Sequence, residues 1–287
     1  MECNAAAHCR NLVRQHDRDR YLSALFAAEE HRDALLALYA FDVEINRIPD
    51  IVSDPMPGEI RLQWWSDALQ NIAHGSIEAN PVAAALVQAI ETYRLPTTPL
   101  LDLIEAHTFD LYNDPMPMLT DLEGYAGETV SAIMQLAAII LAGGRDPGTA
   151  DVSGHAGAAL CIVDTLRRIP WHTAKRQVFL PADVLGRHGM SSDEVLEPIC
   201  SSRLHGVVQE LCGHARHHLD RFEQAFVAAG CQGLAAAYLQ TGIAPAYLKV
   251  FECGRKDPRK DLVEIPQWRR QWNLWRTARR LASLDAA

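Results

Sequence analysis

Asp50 and Asp54 stand four residues apart in a D-x-x-x-D segment. On a helix this spacing places both carboxylates on one face, where they could share a Mg²⁺ ion, because Mg²⁺ prefers oxygen ligands. Pro49 directly precedes the pair and disrupts the preceding helical turn. Two interpretations follow, a weak magnesium site formed by Asp50 and Asp54, or solvated charges at a helix end.

A second group of residues is basic. Four cations lie within ten residues, at Arg167, Arg168, Lys175 and Arg176. Guanidinium and ammonium groups together can form a pocket for an anion such as a diphosphate or a lipid headgroup. The competing interpretation is a solvated basic face that pairs with the many acids of the chain. Pro170 lies inside the cluster and predicts that its helix kinks or stops there.

A third group is an H-x-x-H-H cluster formed by His214, His217 and His218. His214 and His218 are at i, i+4 on a predicted helix and could present two nitrogens to a metal. No adjacent glutamate completes the H-E-x-x-H pattern of zinc proteases. Surface histidines are the alternative interpretation.

The tail carries an aromatic and basic pattern. Trp268, Trp272 and Trp275 fall on one face of a predicted helix, and no acid interrupts residues 267–280. The basic residues of this stretch are Arg269, Arg270, Arg276, Arg279 and Arg280. Such a helix could lie in a membrane interface. Alternatively, the tryptophans dock the terminal helix on the core.

The elements that position these groups are predicted to be helical throughout. Apolar residues recur at helical spacing, and proline and glycine breakers divide the chain into eight to ten helices. Residues 9–41 are predicted to form one continuous helix. We predict one domain over residues 1–287, with a core at about 9–253 and a C-terminal helix at about 266–283.

Composition and sequence patterns argue against several classes of protein and of partner. A formal charge of −9 disfavours nucleic acid as a partner, because binding to phosphate needs a basic face. No uninterrupted apolar run reaches the length of a membrane span, and the basic N-terminus lacks the apolar stretch of a signal peptide. Seven scattered cysteines without a C-x-x-C pair fit a reducing compartment. A cytoplasmic protein is therefore expected.

The order of several segments resembles the squalene/phytoene synthase family. Residues 9–41 are similar to its opening, and R-L-Q-W-W at 61–65, D-L-E-G-Y-A-G-E-T-V at 121–130 and T-L-R-R-I-P-W-H-T-A-K-R-Q-V-F-L-P at 165–181 continue the similarity. The resemblance implies an all-α, single-domain helical bundle of isoprenoid-synthase type around a central cavity. It also places anion- or ligand-binding residues at Tyr21, Arg32, Tyr39, Arg47, Arg167, Arg168, Lys175 and Arg176.

In that family two prenyl diphosphates condense head to head with Mg²⁺ held by two acidic motifs. Aligned without gaps from Tyr39, the first motif falls on Asn46, Arg47 and Asp50, and only Asp50 is acidic. The second motif falls on residues 168–172, which contain no carboxylate, and Asp164 lies one turn earlier. Arg168 in place of a metal-binding carboxylate would repel Mg²⁺.

One branch of the family resembles this chain more closely, the phytoene-synthase-like assembly factors of respiratory complex I. The pattern L-R-x-x-P-x-H-x-x-x-R-x-V-F-L-P at 166–181 and F-D-V-E at 41–44 carry this similarity. The branch implies a non-catalytic scaffold protein without a cofactor, with complex I assembly intermediates as partners. The lack of a targeting segment suggests a bacterial relative, at the inner membrane face.

Two other functions stay open. The first is a Mg²⁺-dependent head-to-head prenyltransferase that uses a displaced set of acids. Its catalytic residues would be Asp42, Glu44, Asp50, Asp54 and Asp164. The second is a module that binds a prenyl diphosphate or an anionic lipid without chemistry.

Overall fold

A computed structural model of the chain describes residues 2–70, 77–197 and 202–284. Regular secondary structure in these ranges is entirely helical, which confirms the predicted all-α class. The α-helices are α1 (Glu2–His16), α2 (Arg18–Ala24), α3 (Glu29–Asn46), α4 (Ile48–Ile51), α5 (Pro55–Leu69), α6 (Pro81–Tyr93), α7 (Thr98–Ala106), α8 (Leu119–Ala126), α9 (Ala132–Leu141), α10 (Ala150–Ala174), α11 (Ala182–Arg187), α12 (Ser192–Leu196), α13 (Ser202–Ala229), α14 (Ala235–Tyr238), α15 (Ala244–Glu252) and α16 (Gln267–Leu284). The predicted number of helices is too low, because several of these are short pieces that the apolar pattern alone does not separate.

The opening segment is not one continuous helix, so that prediction is wrong. The carboxylate of Asp17 accepts a hydrogen bond from the backbone N–H of Arg20 at 2.9 Å and begins α2 as a new helix. A second break follows α2, where the guanidinium of Arg32 donates to the carbonyls of Ala27 and Leu25 at 3.0 and 3.2 Å. Arg32 therefore stabilises the turn that leads into α3.

Helix α10 is the central element, and it packs along α13 and against the π-helical segment Gly127–Ser131 that joins α8 to α9. A Cβ atom at Gly157 would overlap with the side chain and backbone of Ser131. Glycine is therefore needed where α10 and the π-helical segment approach each other. This contact holds the face of α10 that carries Asp164 and Arg168 opposite Thr129.

The sequence predicts that α10 kinks or stops at Pro170, and of these the stop is wrong, because the helix continues to Ala174. Proline removes one backbone N–H donor inside the helix. The hydroxyl of Thr173 donates to the carbonyls of Ile169 and Pro170 at 2.9 and 3.2 Å. The extra turn carries His172 toward the same side of the fold as Arg168.

The helical stretch 119–141 has a mean hydropathy of 1.3 and is long enough, by length and composition, to cross a membrane. In this fold 56% of the apolar window is buried inside the protein. Its α9 part packs against α3 and α10, with Ile133, Met134 and Ile140 in the core. We therefore describe it as a core element.

Helix α16 docks through one face only. Leu274, Thr277 and Leu281 are buried, and a Cβ atom at Gly242 would overlap with the side chain of Thr277. The close contact with the turn Leu239–Gly242 therefore depends on glycine at position 242. The tryptophans lie on the opposite face.

Candidate functional site

A cavity of about 1010 Å³ opens between α2, α3, α10, α15 and α16. Its lining is rich in charge of both signs. The cations are Arg18, Arg20, Arg47, Arg167, Arg168, Lys175 and Arg270. The carboxylates are Asp17, Asp19, Asp42, Asp50, Asp110, Asp164 and Glu264. Seven cations face seven carboxylates, so the lining has no formal net charge.

On α10 the carboxylate of Asp164 pairs with two arginines. Its Oδ2 lies 3.0 Å from Nε of Arg168, and its Oδ1 lies 3.3 Å from Nη1 of Arg167. The attraction of Asp164 raises the pKa of Arg168 in spite of the opposing effect of burial. Arg168 therefore forms an ion pair with the acid one turn away on the same helix.

Across the cavity, Asp50 pairs with Lys175. The Nζ of Lys175 lies 2.7 Å from Oδ1 of Asp50 and 5.2 Å from the ring centre of Trp171. This ion pair joins α4 to the end of α10. Asp54 is an exposed residue at the start of α5 and is not part of the cavity lining. Of the two predicted metal ligands, Asp50 thus lines the cavity and is paired with Lys175, whereas Asp54 lies outside the lining.

A buried ion pair lies deeper in the cavity, between Arg20 and Asp42. Their side chains are 10% and 8% exposed, and the guanidinium of Arg20 also lies 5.5 Å from the ring centre of Tyr39. Burial lowers the pKa of Arg20, but attraction to Asp42 and Asp17 outweighs it and the pKa is raised. Asp42 thus lines the cavity as predicted, with a cation of the chain already bound to it.

Beside the π-helical segment, Asp110 forms a polar group with an aromatic residue and a histidine. The hydroxyl of Tyr125 donates to Oδ2 of Asp110 at 2.8 Å, and Nε2 of His107 lies 3.9 Å from the same oxygen. Burial raises the pKa of Asp110 above its ordinary value, against the lowering effect of His107 and Tyr125. Burial also raises the pKa of Tyr125 well above its usual range.

His172 is the buried histidine of the cavity wall. Its ring centre lies 4.4 Å from that of Phe179, and the residue is 9% exposed. Burial, and then repulsion from Arg168, lowers the pKa of His172 to about 4. The imidazole is therefore neutral at pH 7.

On the side of the cavity that α16 closes, some buried polar atoms are paired within the protein and others are not. Arg270 donates through Nε at 3.0 Å and through Nη2 to Oδ2 of Asp19, which ties α16 to α2. The guanidinium carbon of Arg167 lies 4.3 Å from the ring centre of Tyr247. Four buried polar atoms in this part of the lining have no hydrogen-bond partner within the described protein: Asp19 Oδ1, Arg167 Nε, Tyr247 OH and Gln267 Nε2.

The other predicted residues fall in two groups. Arg47 lines the cavity, whereas Tyr39 contacts it only through Arg20. Besides Tyr39, five predicted residues are not part of the lining, and these are Tyr21, Arg32, Glu44, Asp54 and Arg176. Arg32 is bound to loop carbonyls. Burial raises the pKa of Cys9, and the nearby charge of Glu44 adds to this effect. Arg176 is exposed at the end of α10 with a φ of 58°.

The histidine contacts in the structure differ from the predicted pair of His214 and His218. His218 contacts His155 of α10, with 3.0 Å between the two Nδ1 atoms, and its Nε2 lies 3.1 Å from Oε1 of Glu123. Neither His214 nor His217 is among these partners. His155 gave no signal in the sequence, because it stands alone on a distant helix.

Sequence reasoning also missed several residues of the cavity, and these are Asp17, Asp19, Arg20, His107, Asp110, Tyr247 and Gln267. A signal existed for three of them. The run D-R-D-R at 17–20 places four charges ahead of an apolar helix, a density that surface helices rarely need. Tyr247 and Gln267 come from elements far apart in sequence, so only the fold shows that they meet.

The arrangement has a chemical consequence for Mg²⁺. Among the residues that the structure describes, no group of three or more His, Cys, Asp or Glu side chains is arranged to hold a metal ion. Asp42, Asp50 and Asp164 are each bound to a cation of the chain itself. A divalent ion would have to displace those cations, so the residues present do not fit the magnesium cluster that the family resemblance implies.

Comparison with known proteins places these observations in a family. Among curated proteins, the rat protein "NADH dehydrogenase (ubiquinone) complex I, assembly factor 6" is 33% identical over 246 residues, which cover 85% of this chain and 73% of that protein. The 15-cis-phytoene synthase of Synechococcus elongatus is 22% identical, over 94% of this chain and 91% of the synthase.

Solved structures share the fold. A dehydrosqualene synthase matches with a TM-score of 0.77 and 16% identity, over 98% of both chains. The squalene synthase HpnC from Alicyclobacillus acidocaldarius matches with a TM-score of 0.72 and 20% identity, over 88% of this chain and 94% of that one. The family model for squalene/phytoene synthase matches residues 13–276, and the chain therefore belongs to the squalene/phytoene synthase family.

Proposed function

We propose that this chain is a non-catalytic assembly or scaffold factor for a respiratory NADH dehydrogenase of the complex I type. The observation that carries the proposal is the pairing of the cavity acids: Asp42, Asp50 and Asp164 each contact an arginine or lysine of the chain. A prenyltransferase that uses a displaced set of acids would need these three carboxylates free to hold Mg²⁺ and diphosphate. The similarity to the rat assembly factor supports the assembly role.

Genetics tests the assembly role. Deletion of the gene in its source organism should lower the amount of assembled NADH dehydrogenase on native gels, and the wild-type gene should restore it. A second complementing gene carries Arg168→Asp, which places an acid where the family resemblance implies a metal-binding carboxylate. Comparison with the wild-type gene shows whether the assembly role depends on the ion pair between Arg168 and Asp164. Normal enzyme levels in the deletion strain would contradict the proposal.

Turnover tests the non-catalytic part. Purified protein with Mg²⁺ and farnesyl or geranylgeranyl diphosphate should form no product, because catalysis in this family depends on metal-held charge. Presqualene diphosphate, squalene or phytoene above a heat-killed control would support the alternative, a head-to-head prenyltransferase that uses Asp42, Asp50 and Asp164. In that outcome the ion pairs would have to open for Mg²⁺.

We further propose that the outer face of α16 contacts the inner face of a bacterial membrane as a peripheral anchor. Trp268, Trp272 and Trp275 are 66%, 52% and 39% exposed, which argues against the alternative that they dock on the core. The rings of Trp272 and Trp275 stack with 4.9 Å between their centres. Amphipathic helices of this kind bind membranes through apolar area and attraction to anionic lipids.

Co-sedimentation with anionic liposomes tests the anchor. A triple variant, Trp268→Ser, Trp272→Ser and Trp275→Ser, should lose most of its sedimentation and keep its fold, because the three side chains lie outside the core. This design is preferable to deletion of the helix, since α16 also buries Leu274 and Leu281. Equal sedimentation of wild type and variant would remove α16 as the anchor.

A further inference from the structure

The cavity wall beside α16 holds polar atoms that the protein itself leaves unpaired. Asp19 and Tyr247 are 7% and 3% exposed, and each keeps one polar atom without a partner among the described residues. Arg167 Nε and Gln267 Nε2 are buried and unpaired in the same wall. Buried polar atoms nearly always have hydrogen-bond partners, so a molecule in the cavity is expected to supply them.

The chemical types of these atoms define what that molecule must offer. Arg167 Nε and Gln267 Nε2 donate only, and the Tyr247 hydroxyl donates or accepts. The ionised carboxylate of Asp19 only accepts, and its second oxygen already binds Arg270. The complementary group must therefore accept from the donors and also donate to Asp19. A hydroxyl does both, whereas a carbonyl or an ether oxygen does not donate.

Charge argues against an anionic headgroup at this position. The cavity lining is formally neutral, and the two arginines of this wall are already engaged, Arg270 with Asp19 and Arg167 with Asp164. A diphosphate would approach the carboxylates of Asp19 and Glu264 and would have to compete with Asp19 and Asp164 for these two arginines. A charge that is taken out of water without a full counterion is unfavourable.

The rest of the lining accommodates an apolar chain. Val130, Leu160, Val163 and Ile243 face the cavity. At its border Trp171 and Leu262 are 52% and 63% exposed and belong to the lining as well. A volume of about 1010 Å³ is at the upper end of the range of small-molecule sites.

We propose that this cavity binds a neutral amphiphile with a hydroxyl headgroup at the α16 wall, where the hydroxyl donates to Asp19 and accepts from two of the donors Arg167, Tyr247 and Gln267. The binding site goes beyond the assembly role and does not depend on it. A prenyl diphosphate or anionic lipid, which the basic cluster predicts, is the competing ligand. Ligands that share one apolar chain and carry an alcohol, a methyl ether or a diphosphate as the headgroup separate these possibilities.

Equilibrium dialysis of the full chain tests this, with tritiated farnesol as the probe and its methyl ether and diphosphate as competitors. Farnesol should bind saturably, and Mg²⁺ should not change its affinity. The methyl ether should bind about tenfold more weakly, because it leaves Asp19 Oδ1 unpaired. The diphosphate should also be weaker than the alcohol, with or without Mg²⁺.

Variants locate the headgroup. Tyr247→Phe keeps the ring on Arg167 and should weaken farnesol binding about five- to tenfold. Tyr238→Phe is the matched control, since Tyr238 is buried and hydrogen-bonded to Ser153 at 2.9 Å but does not line the cavity, and its affinity should stay unchanged. If Tyr247→Phe is poorly folded by circular dichroism, Gln267→Met provides the second measurement.

Two outcomes would overturn the proposal. Tighter binding of the diphosphate than of the alcohol, especially if it depends on Mg²⁺, would identify an anion site instead. Absence of saturable farnesol binding would mean that only water pairs with the polar atoms of this wall. Either result would leave the assembly proposal to its own genetic test.

Discussion

Two basic clusters of this chain look alike in sequence and differ in structure. In the cavity, Arg168 and Lys175 pair with Asp164 and Asp50 at 3.0 and 2.7 Å. On α16, Arg269 and Arg279 instead lie over the rings of neighbouring tryptophans, with 5.7 and 4.7 Å from guanidinium carbon to ring centre. The first cluster is neutralised by the protein, and the second presents charge and apolar area outward.

The difference shows that a run of cations defines a binding surface only after its partners are known. In the cavity, arginines and a lysine of the chain are the counterions of the acids. Helix α16 contains no acidic residue, so the charge of its outer face is not balanced along the helix itself. Each prediction below tests one side of this contrast.

The largest expected effect concerns burial of the ion pairs in the cavity. Asp42→Asn should lower the free energy of unfolding by about 3–5 kcal/mol, because it leaves the buried charge of Arg20 without its main partner. Asp50→Asn should lower it by less than about 1 kcal/mol, since Asp50 and Lys175 are 43% and 36% exposed. Urea unfolding measures both. Equal effects would show that the two ion pairs do not differ in environment.

The next effect tests the neutral histidine of the cavity wall. The pKa of His172 is about 4 in the folded protein and near 6.5 in the unfolded chain, so only the unfolded chain binds this proton between those values. Stability is therefore complete above pH 6.5 and falls as the pH decreases toward 4. The loss from pH 7 to 4.5 should be about 2–3 kcal/mol.

Replacement of the histidine isolates its contribution. His172→Phe keeps an aromatic ring against Phe179 and should flatten the dependence of the free energy of unfolding on pH by that amount. Urea unfolding at pH 7 and pH 4.5, with wild type and variant side by side, gives the difference. An unchanged slope would mean that His172 is charged in the folded protein.

On the α16 side, Trp272→Ala should reduce partition to anionic liposomes about tenfold, because an indole supplies much of the apolar area of the face. Its effect on the free energy of unfolding should stay below about 1 kcal/mol, since the side chain is exposed. Trp171→Ala is the matched control, as Trp171 is equally exposed at the border of the cavity. A large loss of stability in Trp272→Ala would indicate that the tryptophan docks on the protein.

The sequence was sufficient to predict the fold and several residues of the cavity, but not the partners of those residues. Helical periodicity and the segments around Arg167 and Pro181 predicted the all-α bundle and the family, both confirmed. Of the residues singled out in the sequence, Asp42, Asp50, Asp164 and Arg168 line the cavity. Their ion-pair partners could not be predicted, because Arg20 and Lys175 reach them from other helices and through side-chain geometry.

The sequence-based predictions failed where local hydrogen bonds and the packing of distant elements determine the structure. The carboxylate of Asp17 begins a new helix, which no apolar pattern reveals and which turns Asp19 and Arg20 toward the cavity. Pro170 was expected to kink or end α10, but the helix continues to Ala174, and the hydroxyl of Thr173 donates to the carbonyls of Ile169 and Pro170 in this last turn. The unpaired atoms of Tyr247 and Gln267 belong to elements that meet only through the packing of α16 on the turn at Gly242.

The smallest predicted effect separates paired from outward arginines on α16 itself. Arg280 donates to Oε1 of Glu223 on α13 at 2.8 Å, whereas Arg276 forms no ion pair within the described part of the chain. A basic residue near an anionic membrane surface contributes roughly 1 kcal/mol, so Arg276→Gln should lower liposome partition about fivefold. Arg280→Gln should change partition less than about twofold, because its charge is already partly neutralised and the change frees Glu223. Both effects should shrink as salt is raised, since salt screens exposed charges. The comparison requires matched co-sedimentation isotherms at two salt concentrations. Equal losses for the two variants would show that pairing with Glu223 does not determine which arginines of α16 act on a membrane.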